Sequence, residues 1–428
     1  YNTAVGYRSL YLNTTGTRNN AFGAYALYNN TIGLNNSAFG YKSLQNNTTG
    51  VNNTAIGYQS LNANTIGTNN NAVGVNALFA NTTGANNVAI GTSALSSNTI
   101  GIENSSLGSN ALSGNTTGSY NVAIGNRSLR SNTIGTNNTA VGHDSLFSNT
   151  TGINNTAVGY QALLNNSTGS NNSSFGHQSL RYNTIGTSNS AFGIYALLVN
   201  TTGYNNTAVG SQTLYSNTSG LGNAAFGYQS LYYNQTGTYN TALGFNSGNV
   251  SSPNVITKGI YIGANAAPKS SSNTNEIVIG ADVTGNGTNT TLIGNSSTQQ
   301  STIYGALTVL PNVAAASTNG ASSTIAAQNA STNAFNGGVL NLSAGNGLSS
   351  GIGGDINLNA GDSYFGAGGN INLNAGTSDY TGTKSEIITN ADLKLNGITA
   401  GRGKGNSTNN TIFGKDAFGS NTTGTNNV

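Results

Sequence analysis

The sequence has no cysteine, no methionine, no tryptophan, only 3 prolines, and charge on just 5% of its residues. Each shortage excludes something. Without thiols there are no disulfides, no thiolate nucleophile and no cysteine-ligated metal, and the redox compartment stays open. With 13 basic and 10 acidic residues spread over 428 positions, no basic patch forms, so nucleic acid is not an expected partner. No apolar run approaches the ~20 residues of a membrane span, so no bilayer crossing is expected. Ordinary soluble domains carry about 25% charged residues. Length alone would allow two or three globular domains, but this composition does not fit them.

What is present in quantity is glycine, 60 residues, set in a fixed rhythm. Gly6, Gly23, Gly40 and their successors to Gly244 recur every 17 residues, and a second series runs from Gly16 to Gly237. Asparagine keeps the same beat, from Asn2 to Asn240 and from Asn13 to Asn234. A large apolar residue precedes the first glycine (Val5, Phe22, Phe39, Ile56, on to Leu243), a small one precedes that (Ala4, Ala21, with Ser106 and Ser174), and Leu10 recurs to Leu231. None of this has helical spacing, and two glycines per unit disfavour a helix. The unit reads as a short strand at "TAVGY", a second short strand beginning at "SL" or "AL", and turns at "NTTG" and "TNN", where Asn and Gly tolerate positive φ.

A period this short implies a solenoid. The expected fold is all-β: a parallel β-solenoid, or β-roll, of 17-residue coils stacked ~4.8 Å apart. The Asn series should form ladders, each amide donating to one neighbouring coil and accepting from the other. Val158 and Leu163, with their equivalents, are expected inside, and Tyr160 and Gln161 outside. Each coil then holds about two large apolar side chains, worth roughly 1.5–3 kcal/mol each, against an ordering cost on the order of 25 kcal/mol at ~1.5 per residue. So thin a core points to a parallel homo-oligomer, with the recurring Ala4 series as the small, flat contact surface.

Five segments follow. Residues 1–248 form fifteen units of the array, and 249–310 a tapering end, where "GIYIGANA", "EIVIGADV", "TTLIGNSS" and "STIYGALTV" hold Gly263, Gly280, Gly294 and Gly305. Residues 311–336 are an Ala/Ser/Thr/Asn-rich neck, and 337–400 a second Gly-rich β-repeat built on "GGVLNLSAG", "GGDINLNAG" and "GGNINLNAG". From 401 to 428 the first array restarts, with Gly414 and Gly424 spaced like Gly6 and Gly16. Tyr1 already lies inside a repeat, so the chain reads as a module of a longer molecule.

The phrase "NNTAVGYQAL…NTTG" resembles the head repeats of YadA-like trimeric autotransporter adhesins, although their unit is shorter. Together with "IYIGANA…EIVIG", "GGDINLNAG" and the "NGIT-G-GKGN" lead-in, it is still more similar to fibre proteins of phages and large viruses. The resemblance covers nearly the whole chain. It implies a parallel, left-handed roll, a trimer first and a larger ring or bundle second, in an extracellular place on a virion or cell surface, including a prey-capturing appendage. The function it implies is a structural and adhesive fibre that presents a surface to glycans or proteins of a host or prey.

Chemistry is sparse, and neither an enzyme nor a cofactor is expected. His143 and His177 occupy a variable outward position two coils apart, too far to share a metal. Asp355 and Asp362 flank "INLNAG", but Asn370 replaces Asp355 in the next unit, so no calcium ladder forms. "GRGKGN" lacks the Lys-Ser/Thr of a phosphate loop, which leaves Arg402 and Lys404 as a solvated turn. "NTT" triplets match the glycosylation sequon, yet they arise from the repeat itself. A solenoid acting on polysaccharide would need clustered acids, and residues 1–244 hold only Glu103 and Asp144. An ice-binding solenoid is the other alternative, from the Thr14, Thr31, Thr48 row. Its neighbour row is broken by Ile32, Ile66 and Ile100, and Thr14 and Thr15 should point oppositely. The variable positions are rich in tyrosine beside Asn and Gln. Tyr228, Tyr232 and Tyr233 are therefore candidate surface contacts, since such rings stack while the amides hydrogen-bond.

Overall fold

The computed structural model describes residues 1–250, 254–295 and 297, and the backbone of three short strands between 393 and 414. The neck at 311–336, Gly305, and nearly all of the second Gly-rich repeat and of the array restart lie outside the described residues.

Residues Tyr1–Tyr304 form one unit. Its described part is a β-solenoid with 18 strands in one parallel sheet. Each three-residue strand, from Thr3–Val5 through Thr156–Val158 to Thr241–Leu243, pairs with the strand one coil on, Ala157 beside Ala140 and Ser174. Ile260–Ile262, Ile277–Ile279 and Thr291–Ile293 continue the sheet, so the described part of the tapering segment belongs to the same roll. The described solenoid contains no helix.

Two expectations fail, for related reasons. The "SL/AL" segment is not a second strand. Gln161 and Leu163 have φ of 53° and 52°, and all fourteen leucines from Leu10 to Leu231 lie between 49° and 53°. The segment is a turn that still bonds between coils, Leu163 N–H donating to Ser179 O at 3.0 Å. A strand would point adjacent residues to opposite faces, whereas here Ala162 and Leu163 are both fully buried. The left-handed geometry costs about 1–2 kcal/mol per residue, which burying the leucine offsets at about 1.5–3 kcal/mol.

The strand face is also inverted. Ala157 is fully buried, while Val158 is half-buried and Val5, Phe39, Ile56 and Leu243 are exposed. The Ala4 series is therefore interior and cannot be the contact surface between chains. What faces it explains its size. Ser174, in that series, hydrogen-bonds Ser179 across the coil, through the Ser179 hydroxyl and carbonyl. Side chains at these two places touch, so only Ala, Ser or Thr fits either in the array. Where Tyr261 replaces the alanine, Gly259 replaces the usual Asn, and a Cβ on Gly259 would overlap the Tyr261 ring.

Beside one leucine per coil and the small Ala and Ser residues, asparagine fills much of the interior. Asn138 is fully buried and uses its whole amide. Its Nδ2 donates to Asn121 Oδ1 at 3.2 Å and to Gly152 O at 2.9 Å, and its Oδ1 accepts from Asn155 N at 3.0 Å and Asn155 Nδ2 at 3.2 Å. Gly152 O accepts again from Asn149, whose Nδ2 also reaches Asn132 Oδ1 at 2.8 Å. Both expected ladders are present, and they meet on the carbonyls of the Gly16 series. A Cβ on Gly152 would overlap Gly169 O and Asn149 Oδ1, which fixes glycine there. Asn138→Ala strands the Asn155 N–H in the interior. It should cost about 2–4 kcal/mol, read as a lower denaturant midpoint with faster amide exchange centred on Asn155. An unchanged midpoint would refute the ladder's energetic role.

Residues Gly305–Val428 form the second unit. Its described strands, Leu393–Leu395, Ile398–Gly401 and Ile412–Gly414, pair antiparallel in that order.

Candidate interaction surfaces

The inversion of the strand face turns the largest apolar residues outward. Val5, Phe22, Phe39, Ile56, Val73 and their equivalents stand one per coil along a single sheet face, and each is exposed or half-buried. They stack on one another, with Phe22 and Phe39 rings 4.9 Å apart and Phe175 and Phe192 rings 5.0 Å apart, nearly parallel. The stripe continues into the taper through Ile262, Ile279 and Ile293. The result is a continuous row of exposed or half-buried apolar side chains along the described sheet.

The tyrosines form columns of their own. Tyr232 stacks on Tyr215 at 4.9 Å and meets Tyr233 edge-on at 4.8 Å, while Tyr228 stacks on Phe245 at 5.4 Å. Tyr228 and Tyr233 are exposed and Tyr232 is half-buried. Burial first, then the neighbouring Tyr215, Tyr233 and Tyr228, raises the Tyr232 pKa. The three candidate contacts thus lie in one neighbourhood. Stacking covers one face of each ring, Tyr228 against Phe245 and Tyr232 against Tyr215. His143, Tyr160 and His177 make a similar column, with centroids 5.6 and 5.2 Å apart.

The array's two acids do not converge. Glu103 is exposed, and Asp144 is buried against Arg127 at 2.7 Å and His143 at 3.2 Å, tying one coil to the next. Among the described residues no group of three or more His, Cys, Asp or Glu could hold a metal, and no helix is long and apolar enough to cross a membrane. The Thr14 row is engaged in the fold. Thr14 Oγ1 donates to Thr31 O at 3.0 Å, and the pattern repeats to Thr218. Asn81, Asn149 and Asn200, each the asparagine of an "NTT" triplet, are fully buried in the folded ladder.

Sequence reasoning missed a buried carboxylate. Glu276 takes the place of the ladder asparagine in the taper and is fully buried. It accepts from Asn273 Nδ2 at 2.7 Å, Gly287 N at 2.6 Å, Lys269 N at 3.3 Å and Tyr261 Oη at 3.3 Å. Burial first, then the Glu276 charge and hydrogen bond, holds the Tyr261 phenol well above its ordinary 10.0. A raised folded value means stability is complete below about pH 10 and declines as pH rises past it, because the unfolded chain ionises first. One phenol should therefore titrate late, together with loss of the taper. Absorbance titration should lose that late step in Tyr261→Phe, and an unaltered titration would contradict the assignment.

No family model, no curated protein and no solved structure matches this chain.

Proposed function

We propose that this chain is a segment of an extracellular structural and adhesive fibre, in which parallel copies join along the Val5 stripe and present the variable tyrosine-bearing positions for attachment. The stripe is the observation that carries this reading. Eighteen strands give seventeen steps of ~4.8 Å, and a three-residue strand is ~10 Å long, so the outer sheet face measures roughly 800 Å², shared between the apolar Val5 stripe and the mostly Thr, Ser and Asn row that begins at Thr3. That is about what each partner buries in a standard specific interface. A second copy is the occupant that fits, because its apolar side chains recur with the same pitch along the whole length. One stripe per copy is satisfied when copies gather around a common axis, and closed cyclic symmetry is the usual solution. The resemblance to YadA-like heads and viral fibres favours three copies.

The mass in dilute solution tests this. The chain should sediment as a multiple of 43.2 kDa, three-fold first. A stable monomer at micromolar concentration would refute self-association. The attachment half is read by binding of the assembled chain to host or prey cells and their glycans, on a virion or cell surface.

A further inference from the structure

We propose that the groove between Phe79 and Ser96 is a binding subsite for a neutral pyranose sugar. It deepens the attachment half of the proposed function and rests on that half. It does not rest on self-association, because none of its lining residues belongs to the Val5 stripe.

The groove is an open depression of about 390 Å³ across three successive coils, at the low end of the ~300–1,000 Å³ of small-ligand sites. It forms where two side-chain columns are interrupted together. In the first column, Tyr11 stacks on Tyr28 and Tyr215 on Tyr232. Phe79 has Asn62 and Ser96 as its column neighbours and makes no ring–ring contact, so its ring is left without an aromatic cover. In the second column, Gln178 donates to Gln161 at 3.1 Å and Gln229 to Gln212 at 2.7 Å. Gln59, Asn76 and Ser93 shorten step by step and make no such bonds. Asn76 Oδ1 is shut off from solvent and has no hydrogen-bond partner in the chain. Ser97 and Ala80 complete the groove, and no charged residue lines it.

These features define one ligand chemistry. The negative face of an aromatic ring attracts partly positive C–H groups, as on the apolar face of a sugar. The amide of Gln59 and the hydroxyls of Ser93 and Ser97 line the groove and can donate or accept. A purely apolar ligand would leave the Gln59 amide and the Ser93 and Ser97 hydroxyls without partners, and a flat polar ion would not use the ring. The absence of charge selects against acidic sugars and phosphate. Single sites of this kind are weak, and presentation on several parallel chains multiplies their effect.

The test is saturation-transfer NMR on the full chain with the methyl glycosides of glucose, galactose, mannose and N-acetylglucosamine. At least one should receive saturation. Phe79→Ser removes the ring, and Ser96→Tyr covers it with a stacked neighbour of the kind the Tyr215–Tyr232 column already tolerates. Each should weaken binding roughly tenfold, a loss on the scale of one aromatic contact, with sedimenting mass and circular dichroism unchanged. No transfer to any of the four sugars, or transfer unaltered in both variants, would overturn the subsite. Attachment to cells that survives both variants would overturn it too and leave the fibre reading intact. Sugar binding by a monomeric chain would retain the subsite and remove self-association.

Discussion

Leu163→Asp is expected to destabilise the array by more than about 5 kcal/mol at neutral pH. The loss combines about 1.5–3 kcal/mol of apolar burial, a cavity, and several kcal/mol for taking a carboxylate out of water. The interior around it offers no cation: its neighbours are Ala157, Ala162, the two asparagine ladders and the leucines one coil away, all fully buried. The introduced carboxyl would hold its proton to a higher pH than in the unfolded chain, so part of the loss should be recovered below about pH 4. The defect sits mid-array, and coils contact only their neighbours, so stability is close to a nearest-neighbour sum. One thermal transition should become two, for the coils before and after the break. A single transition at the original temperature would mean that the Leu10 series is not the core.

Much of this was legible in the sequence, and the exceptions have one physical origin. The two asparagine ladders were readable because a buried amide has a fixed inventory of donors and acceptors, and an invariant period lines them up. Leu163 was readable because a large aliphatic side chain at a constant place has few other uses. Which of Ala157 and Val158 faces inward was not readable. A three-residue strand alternates once, so periodicity gives no vote, and size favoured the valine. The decisive fact is a distance across the coil: Ser174 and Ser179 touch there, and nothing in one unit's sequence states that width. The left-handed turn was hidden in the same way. Positive φ at leucine is rare, and only closing so narrow a coil requires it. The Phe79 groove depends on side-chain lengths in three successive coils, a pattern visible only once the coils are in register.

Phe175→Glu with Phe192→Glu should separate the assembled chains while leaving each solenoid folded. These two rings stack at 5.0 Å on the outer face, 38% and 40% exposed, so neither supports the coil interior, whose Ser174 and Ala191 neighbours stay in place. In a joined fibre they would be fully buried, and aromatic anchors at the centre of an interface are worth at least about 2 kcal/mol each. Placing two like charges around a common axis adds repulsion between copies as well as within one. The dissociation constant should rise by at least about a hundredfold, seen as a shift of the sedimenting species toward 43.2 kDa. Circular dichroism should move little, and the unfolding midpoint should fall only by the stabilisation that association had supplied, to the value the unsubstituted chain reaches on dilution to the monomer. Thr168→Glu, an exposed substitution outside the stripe, serves as the control and should leave the mass unchanged. An assembly indifferent to the double substitution would put the interface on another face. Loss of the fold together with the assembly would place these phenylalanines in the core, against their exposure.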